Sequence, residues 1–196
     1  LHDPFCGSGT IAIEATLYAY NVAPGFGRRF ALESLPIFDE SRALEIKRKE
    51  AEQIRTDVEV RITGSDIDED AVIRAQQNAE HACVMAGRAL KLIDKSYHVP
   101  RPDFMACDFA ELEAPYETGL LLCKPPYGER LLDEKETRNL YKNMSGLLKS
   151  FPNWDIGVIT AAEYFEDEFG RKANRSKLIK AGSFDTKFYE YLRSQK

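Results

Sequence analysis

Long apolar runs, paired cysteines and a surplus of positive charge are all missing from this chain, and each absence closes off a class of protein. No apolar stretch approaches the length needed to cross a bilayer, so no membrane association is expected. The cysteines Cys6, Cys83, Cys107 and Cys123 are scattered, without a CxxC pair or a histidine at ligand spacing, which leaves neither a zinc site nor a disulfide framework. Small buried thiols in a reducing cytoplasm, and no metal, are the expectation. The histidines His2, His81 and His98 form no constellation and carry no catalytic expectation. The net charge of −5 is awkward for a protein that grips nucleic acid through phosphate contacts alone. The sequence starts at Leu1 with a motif two residues later, and the expectation is a piece whose first strand has lost its beginning. What is present is ordinary for one globular domain: 196 residues, 43% hydrophobic and 30% charged, enough to bury a sizeable core.

Two stretches organise the rest. In Asp3-Pro4-Phe5-Cys6-Gly7-Ser8-Gly9-Thr10 a strand end runs through a tight turn into a helix containing Ile11, Ile13 and Leu17. Gly7 and Gly9 let a ligand lie against the main chain, and the free N–H groups opening the helix face the same spot. The second stretch, Cys123-Lys124-Pro125-Pro126-Tyr127-Gly128, follows the apolar run Leu120-Leu121-Leu122, the pattern of a strand covered on both faces.

Between and beyond them strands alternate with helices. Asp39 caps a charged surface helix to about Arg55. Val58, Val60 and Ile62 alternate as a second strand closing at Asp66. A helix with Ala71, Ala75, Asn78, Ala79 and Ala82 on one face then follows from Asp68 or Asp70, with Gly87 as its weak point. Phe104 to Cys107 is a third strand ending at Asp108, and Asp133 caps a helix carrying Leu140, Met144, Leu147, Leu148 and Phe151. Trp154 to Thr160 is a fifth strand and Glu163 to Phe169 a short helix. Lys177 to Lys180 and Thr186 to Leu192, separated by Gly182, pair antiparallel. This order implies helices on both faces of a mainly parallel sheet with an antiparallel terminal hairpin.

In such a sheet ligands bind beyond the carboxyl ends of the strands. Those ends carry Asp3-Pro4-Phe5, Asp66-Ile67-Asp68, Asp108-Phe109 and Lys124-Pro125-Pro126-Tyr127. An acidic residue ending the second strand can accept hydrogen bonds from ribose hydroxyls. Asp66 suits that task, while Asp68 stands where a helix cap belongs.

Together these stretches resemble the class I, Rossmann-like S-adenosylmethionine-dependent methyltransferases. More closely, DPFCGSGT, GSDID, the Asp108-Phe109 pair and KPPYGER look like the bacterial THUMP-associated RNA methylases, a group that includes the 23S rRNA guanine-N2 methyltransferases. The resemblance covers nearly the whole chain and implies a single methyltransferase domain over residues 1–196 with a seven-stranded sheet. It also implies S-adenosyl-L-methionine as cofactor and ribosomal RNA as partner, with an upstream THUMP domain, absent here, contributing to RNA binding. By the same resemblance Asp3 and the backbone from Phe5 through Cys6, Gly7, Ser8 and Gly9 to Thr10 would hold the methionine end. Asp66 would take the ribose, Ile67 would pack on adenine, and Asp108 would accept from the adenine amine with Phe109 beside it. Lys124, Pro125, Pro126 and Tyr127 would form the acceptor pocket. Two prolines stiffen that loop, Pro125 offers a carbonyl with no competing N–H, and Tyr127 offers a flat face to a base, worth roughly 1–3 kcal/mol of stacking.

One position departs from the family pattern, which has Asn or Asp before Pro-Pro-Tyr where this chain has Lys124. An ammonium has donors only, and 4 Å from a sulfonium it would be repelled by about 1–4 kcal/mol. Three readings stay open: a neutral Lys124 made so by burial and the cofactor's charge, a Lys124 turned away with the Pro125 carbonyl as acceptor, or a protein that binds cofactor and transfers poorly or not at all. The alternatives to an rRNA enzyme are accordingly a DNA adenine-N6 methyltransferase and a catalytically impaired RNA-binding paralogue. Candidate RNA contacts are Glu129 and Arg130, equally readable as an intraloop ion pair; the cluster Arg171, Lys172, Arg175, Lys177 and Lys180, by default a solvated face; and the loop bearing Arg28 and Arg29, whose aromatics Phe26 and Phe30 are better explained by packing.

Overall fold

The computed structural model describes residues 1–127, 133–181 and 184–193. In chain order these form β1 (His2–Asp3), α1 (Thr10–Ala19), a 3₁₀ turn (Ala31–Ser34), α2 (Glu40–Glu52), β2 (Thr63–Asp66), α3 (Glu69–Lys91), β3 (Asp103–Ala106) and β4 (Gly119–Cys123). There follow α4 (Glu134–Met144), α5 (Leu147–Ser150), β5 (Trp154–Thr160), α6 (Phe165–Phe169), β6 (Arg175–Ala181) and β7 (Phe184–Tyr191). The strands build one seven-stranded sheet in the order β3-β2-β1-β4-β5-β7-β6. All neighbours are parallel except those of β7, which runs antiparallel to both β5 and β6. Strand order reverses between β1 and β4, which places a topological switch point beside the glycine turn.

The helices pack in two groups. Alanines at 71, 75, 79, 86 and 89 line the buried side of α3 and let it approach α1 and the sheet closely. Cys6, Ala12, Ile13, Val72, Ala75 and Phe104 make a core cluster there. On the other side of the switch point a larger, aromatic cluster joins α4, α5 and α6 to β4, β5 and β7 through Tyr141, Phe151, Trp154, Phe165, Tyr189 and Tyr191. Burial of these rings, each a large apolar area, is the main stabilising contribution on that side.

Caps fall where the residue types place them. The side chain of Asp39 accepts from the Arg42 amide at 2.9 Å, Asp68 from Asp70 at 2.9 Å and Asp133 from Glu136 at 2.7 Å. Three expectations need correction. Residues 58–62 are not a strand: β2 begins at Thr63, which pairs with His2 of β1 and Asp103 of β3. The helix after Asp133 is two helices, divided where Ser145 and Gly146 donate three residues back, to Lys142 and Asn143. The short helix expected from Glu163 begins at Phe165. Gly87, the expected weak point, lies inside the continuous α3, whereas Gly182 lies outside the described residues.

Candidate active site

Parallel pairing puts the ends of β1, β2, β3 and β4 on one rim. The chain leaves β1 through Pro4 and Phe5 and turns at Gly7 and Gly9, both left-handed at φ 51° and 83°. Gly9 must be glycine twice over, since a Cβ there would lie 2.9 Å from the Phe104 ring and 3.0 Å from the Ala75 Cβ. A Cβ on Gly7 would meet nothing within 4 Å, so that side of the turn is open. Helix α1 starts immediately after with no side-chain cap and no acidic residue in its first turn, leaving its opening N–H groups directed at the same opening. Asn78 of α3 pins the turn by donating to the Ser8 carbonyl at 2.9 Å. The side chains of Ser8 and Thr10 pair with each other at 3.3 Å on the surface.

Asp66 is the clasp between two strand ends. One carboxylate oxygen accepts from the Gly7 amide at 2.8 Å and the other from the Asp68 amide at 3.1 Å. Ile67, next to it, is 74% exposed. The Cys107 amide donates to the Asp66 carbonyl at 3.0 Å, which carries the end of β3 alongside. Asp108 then accepts from Ala110 at 2.9 Å through one oxygen, and the Phe109 ring sits 5.0 Å from that of Phe5. Phe5 and Phe109 both pack on the core cluster that contains Cys123, the last residue of β4.

Asp3 lies beneath this arrangement. It is 1% exposed; one oxygen accepts from the Phe5 amide at 3.1 Å and the other, Oδ2, is buried without a partner among the described residues. Burial pushes its carboxyl up to about 7, against the pull of the Phe5 amide and with a further push from Asp66. His2 bridges Thr63 at 2.7 Å and Ser65 at 3.1 Å, and burial followed by the charge of the neighbouring N-terminus brings it down to about 4. It ties β1 to β2 as a neutral ring. Cys6 and Cys123, buried beside Asp3, are pushed upward by burial and are unreactive thiols.

Beyond β4, Pro125 is buried, Pro126 and Tyr127 are half-buried, and Lys124 is exposed with its ammonium 5.2 Å from the centre of the Tyr127 ring. Two residues that the sequence did not single out hold this loop. The Tyr141 hydroxyl, fully buried in α4, donates to the Pro126 carbonyl at 3.1 Å and bonds Thr160 at 2.9 Å, while Thr160 accepts from the Ala162 amide at 3.1 Å. The only signal was a tyrosine and a threonine among apolar neighbours, where each buried hydroxyl needs a partner. Of the candidate RNA contacts, Lys172 pairs with Glu166 and Asp167 and Arg29 with Glu33, while Glu129 and Arg130 lie outside the described residues.

The family model for the RMKL-like methyltransferase domain matches residues 1–190. YpsC of Bacillus subtilis (strain 168), a presumptive RNA methyltransferase, is 33% identical over 96% of this chain and 46% of its own length. The ribosomal RNA large subunit methyltransferase K/L of Shewanella baltica (strain OS185) is 33% identical over 97% of this chain and 26% of its own length. The chain thus spans half or less of the length of these relatives. Among solved structures, SMU.472, a presumptive methyltransferase complexed with SAH, superposes with TM-score 0.80 at 34% identity, over 99% of this chain and 48% of that one. A protein from Listeria monocytogenes str. 4b F2365, described as a predicted N6-adenine-specific DNA methylase, gives TM-score 0.79 at 34% identity over 98% and 46%.

Proposed function

Because this chain belongs to the RMKL-like methyltransferase domain family, we propose that it transfers a methyl group to the N2 amine of a guanine in bacterial 23S rRNA. S-adenosylmethionine is the cofactor and supplies the electrophilic methyl group. The observation that carries the reading is the buried Asp3 Oδ2, without a partner among the described residues, on the strand end that leads into the Gly7 turn. A buried carboxylate with a free oxygen is costly unless a cation meets it, and the cofactor's ammonium is such a cation. The α1 N–H groups suit its carboxylate, Asp66 retains lone pairs for the ribose, exposed Ile67 offers an apolar face to adenine, and Asp108 has an oxygen free of Ala110.

On the acceptor side Tyr127 stacks on a flipped-out base. Pro126 has its carbonyl committed to Tyr141, so the Pro125 carbonyl is the acceptor for an amine N–H, turning the nitrogen lone pair toward the methyl group. No nucleophile is needed and the proton leaves late, to water. Most of the acceleration comes from alignment. Lys124 lies over one face of Tyr127 with its ammonium 5.2 Å from the ring centre, so the base stacks on the other face or displaces it.

Lys124 also supports a second reading, a paralogue that binds RNA and cofactor without transferring. The test is methyl transfer from radiolabelled S-adenosylmethionine to unmodified bacterial 23S rRNA, with adenine-containing DNA in parallel, by the wild type and Lys124→Asn. Transfer by the wild type to rRNA, mapped to guanine N2, is the expected outcome. Activity that appears only in the variant favours the paralogue, and transfer to DNA adenine alone overturns the RNA assignment.

A further inference from the structure

Methyl transfer to a large RNA needs a grip on phosphate that an acidic chain does not offer uniformly. We infer that the groove between the C-terminal half of α3 and residues 95–101 is a dock for the phosphate backbone of the RNA substrate, a proposal that rests on the RNA reading above. The groove encloses about 700 Å³. Four cations, Arg88, Lys91, Lys95 and Arg101, line it against one carboxylate, Glu80. Glu80 is already engaged by Arg101, and among the described ion pairs none contains Arg88, Lys91 or Lys95, all exposed. Tyr97, half-buried on the wall and 6.4 Å from Tyr20, is positioned to meet a base.

The groove gathers these cations in a chain whose net charge is −5, and several cations elsewhere face acidic partners. Lys172 sits between Glu166 and Asp167, Arg138 between Glu134 and Glu168, and on the edge strand Arg175 and Lys180 stand opposite Glu190 and Asp185. Along α3, Arg88 is twenty residues beyond the Asp68 cap, a rise of about 30 Å at 1.5 Å per residue. The groove is therefore a second foothold well away from the crevice, and a partner that reaches both must be long and negatively charged. A concave, cation-lined channel suits a polyphosphate strand better than a flat lipid surface.

The experiment compares the wild type with R88E/K91E/K95E and with K142E/K149E/R193E, a control that changes net charge equally at exposed positions away from the groove. Binding of a fluorescently labelled hairpin from 23S rRNA is titrated over a range of salt, and S-adenosylhomocysteine binding is measured by calorimetry. The groove variant is expected to bind the hairpin at least tenfold more weakly, with a salt slope lower by about one per cation removed, while its cofactor affinity and the control's RNA affinity stay at the wild-type level. Wild-type RNA affinity in the groove variant, or equal weakening in both variants, overturns the groove and leaves the RNA reading standing. A wild type that does not bind the hairpin removes both.

Discussion

Burying the Asp3 carboxyl with one oxygen unpartnered raises it to about 7 from an ordinary 3.8, chiefly by desolvation. In the folded chain it therefore holds a proton that the unfolded chain has already lost between those values. The stability this group contributes is complete below about pH 4 and is lost as pH rises through about 7. Ligand binding has the opposite slope, because an ammonium needs the ionised form. S-adenosylhomocysteine affinity of the wild type should climb roughly tenfold between about pH 6 and pH 8, and Asp3→Asn should give weaker binding with no such climb, both read by calorimetry. The two glycines of the turn separate fold from function in a second way. Gly7→Ala meets open space and carries only the left-handed backbone cost of about 1–2 kcal/mol, so its main effect is weakened cofactor binding. Gly9→Ala adds a clash with Phe104 and Ala75, and its unfolding midpoint in urea should fall well below that of Gly7→Ala.

At the level of elements, the loop after β4 is only as well placed as the hydroxyl beneath it. Ala162 donates to Thr160, Thr160 to Tyr141 and Tyr141 to the Pro126 carbonyl, the direction in which every hydroxyl both gives and accepts once. Tyr141→Phe keeps the ring packing and removes both bonds of the hydroxyl, to Pro126 and to Thr160. It should lower stability by about 1–2 kcal/mol and slow methyl transfer at saturating cofactor several-fold, with S-adenosylhomocysteine affinity unchanged. A fall in both together would mark general loosening instead. This anchor was illegible in the sequence because it joins residues 15 and 19 positions apart through a carbonyl, which carries no residue signature. The caps were legible for the contrary reason: Asp39, Asp68 and Asp133 act within three residues of themselves. So was β4, where Leu120 to Cys123 is a continuous apolar run, whereas the alternation at 58–62 misled because alternation alone does not make a strand.

For the whole molecule, the decisive property is that four strand ends and the first turn of α1 share one rim, joined by backbone bonds and by single side chains. Asp66 joins the first turn to the second strand end, Phe5 and Phe109 join the first to the third, and Asp3 lies between β2 and β4 with an open valence. The sequence could place each of these residues at a strand end, but only the order β3-β2-β1-β4 brings them together. A ligand that completes this rim binds the folded chain and not the unfolded one, so at a hundredfold excess over its dissociation constant it adds about 2.7 kcal/mol. For a domain of this size S-adenosylhomocysteine should then raise the melting temperature by roughly 5–11 °C. In hydrogen exchange the protection should fall on Phe5 to Thr10, Asp66 to Asp68, Asp108 to Ala110 and the amides of Lys124 and Tyr127 together, and leave the groove around Arg88 and Lys95 unchanged. Protection confined to one of those loops would mean that the rim does not act as one site, and the melting shift would have to come from elsewhere in the fold.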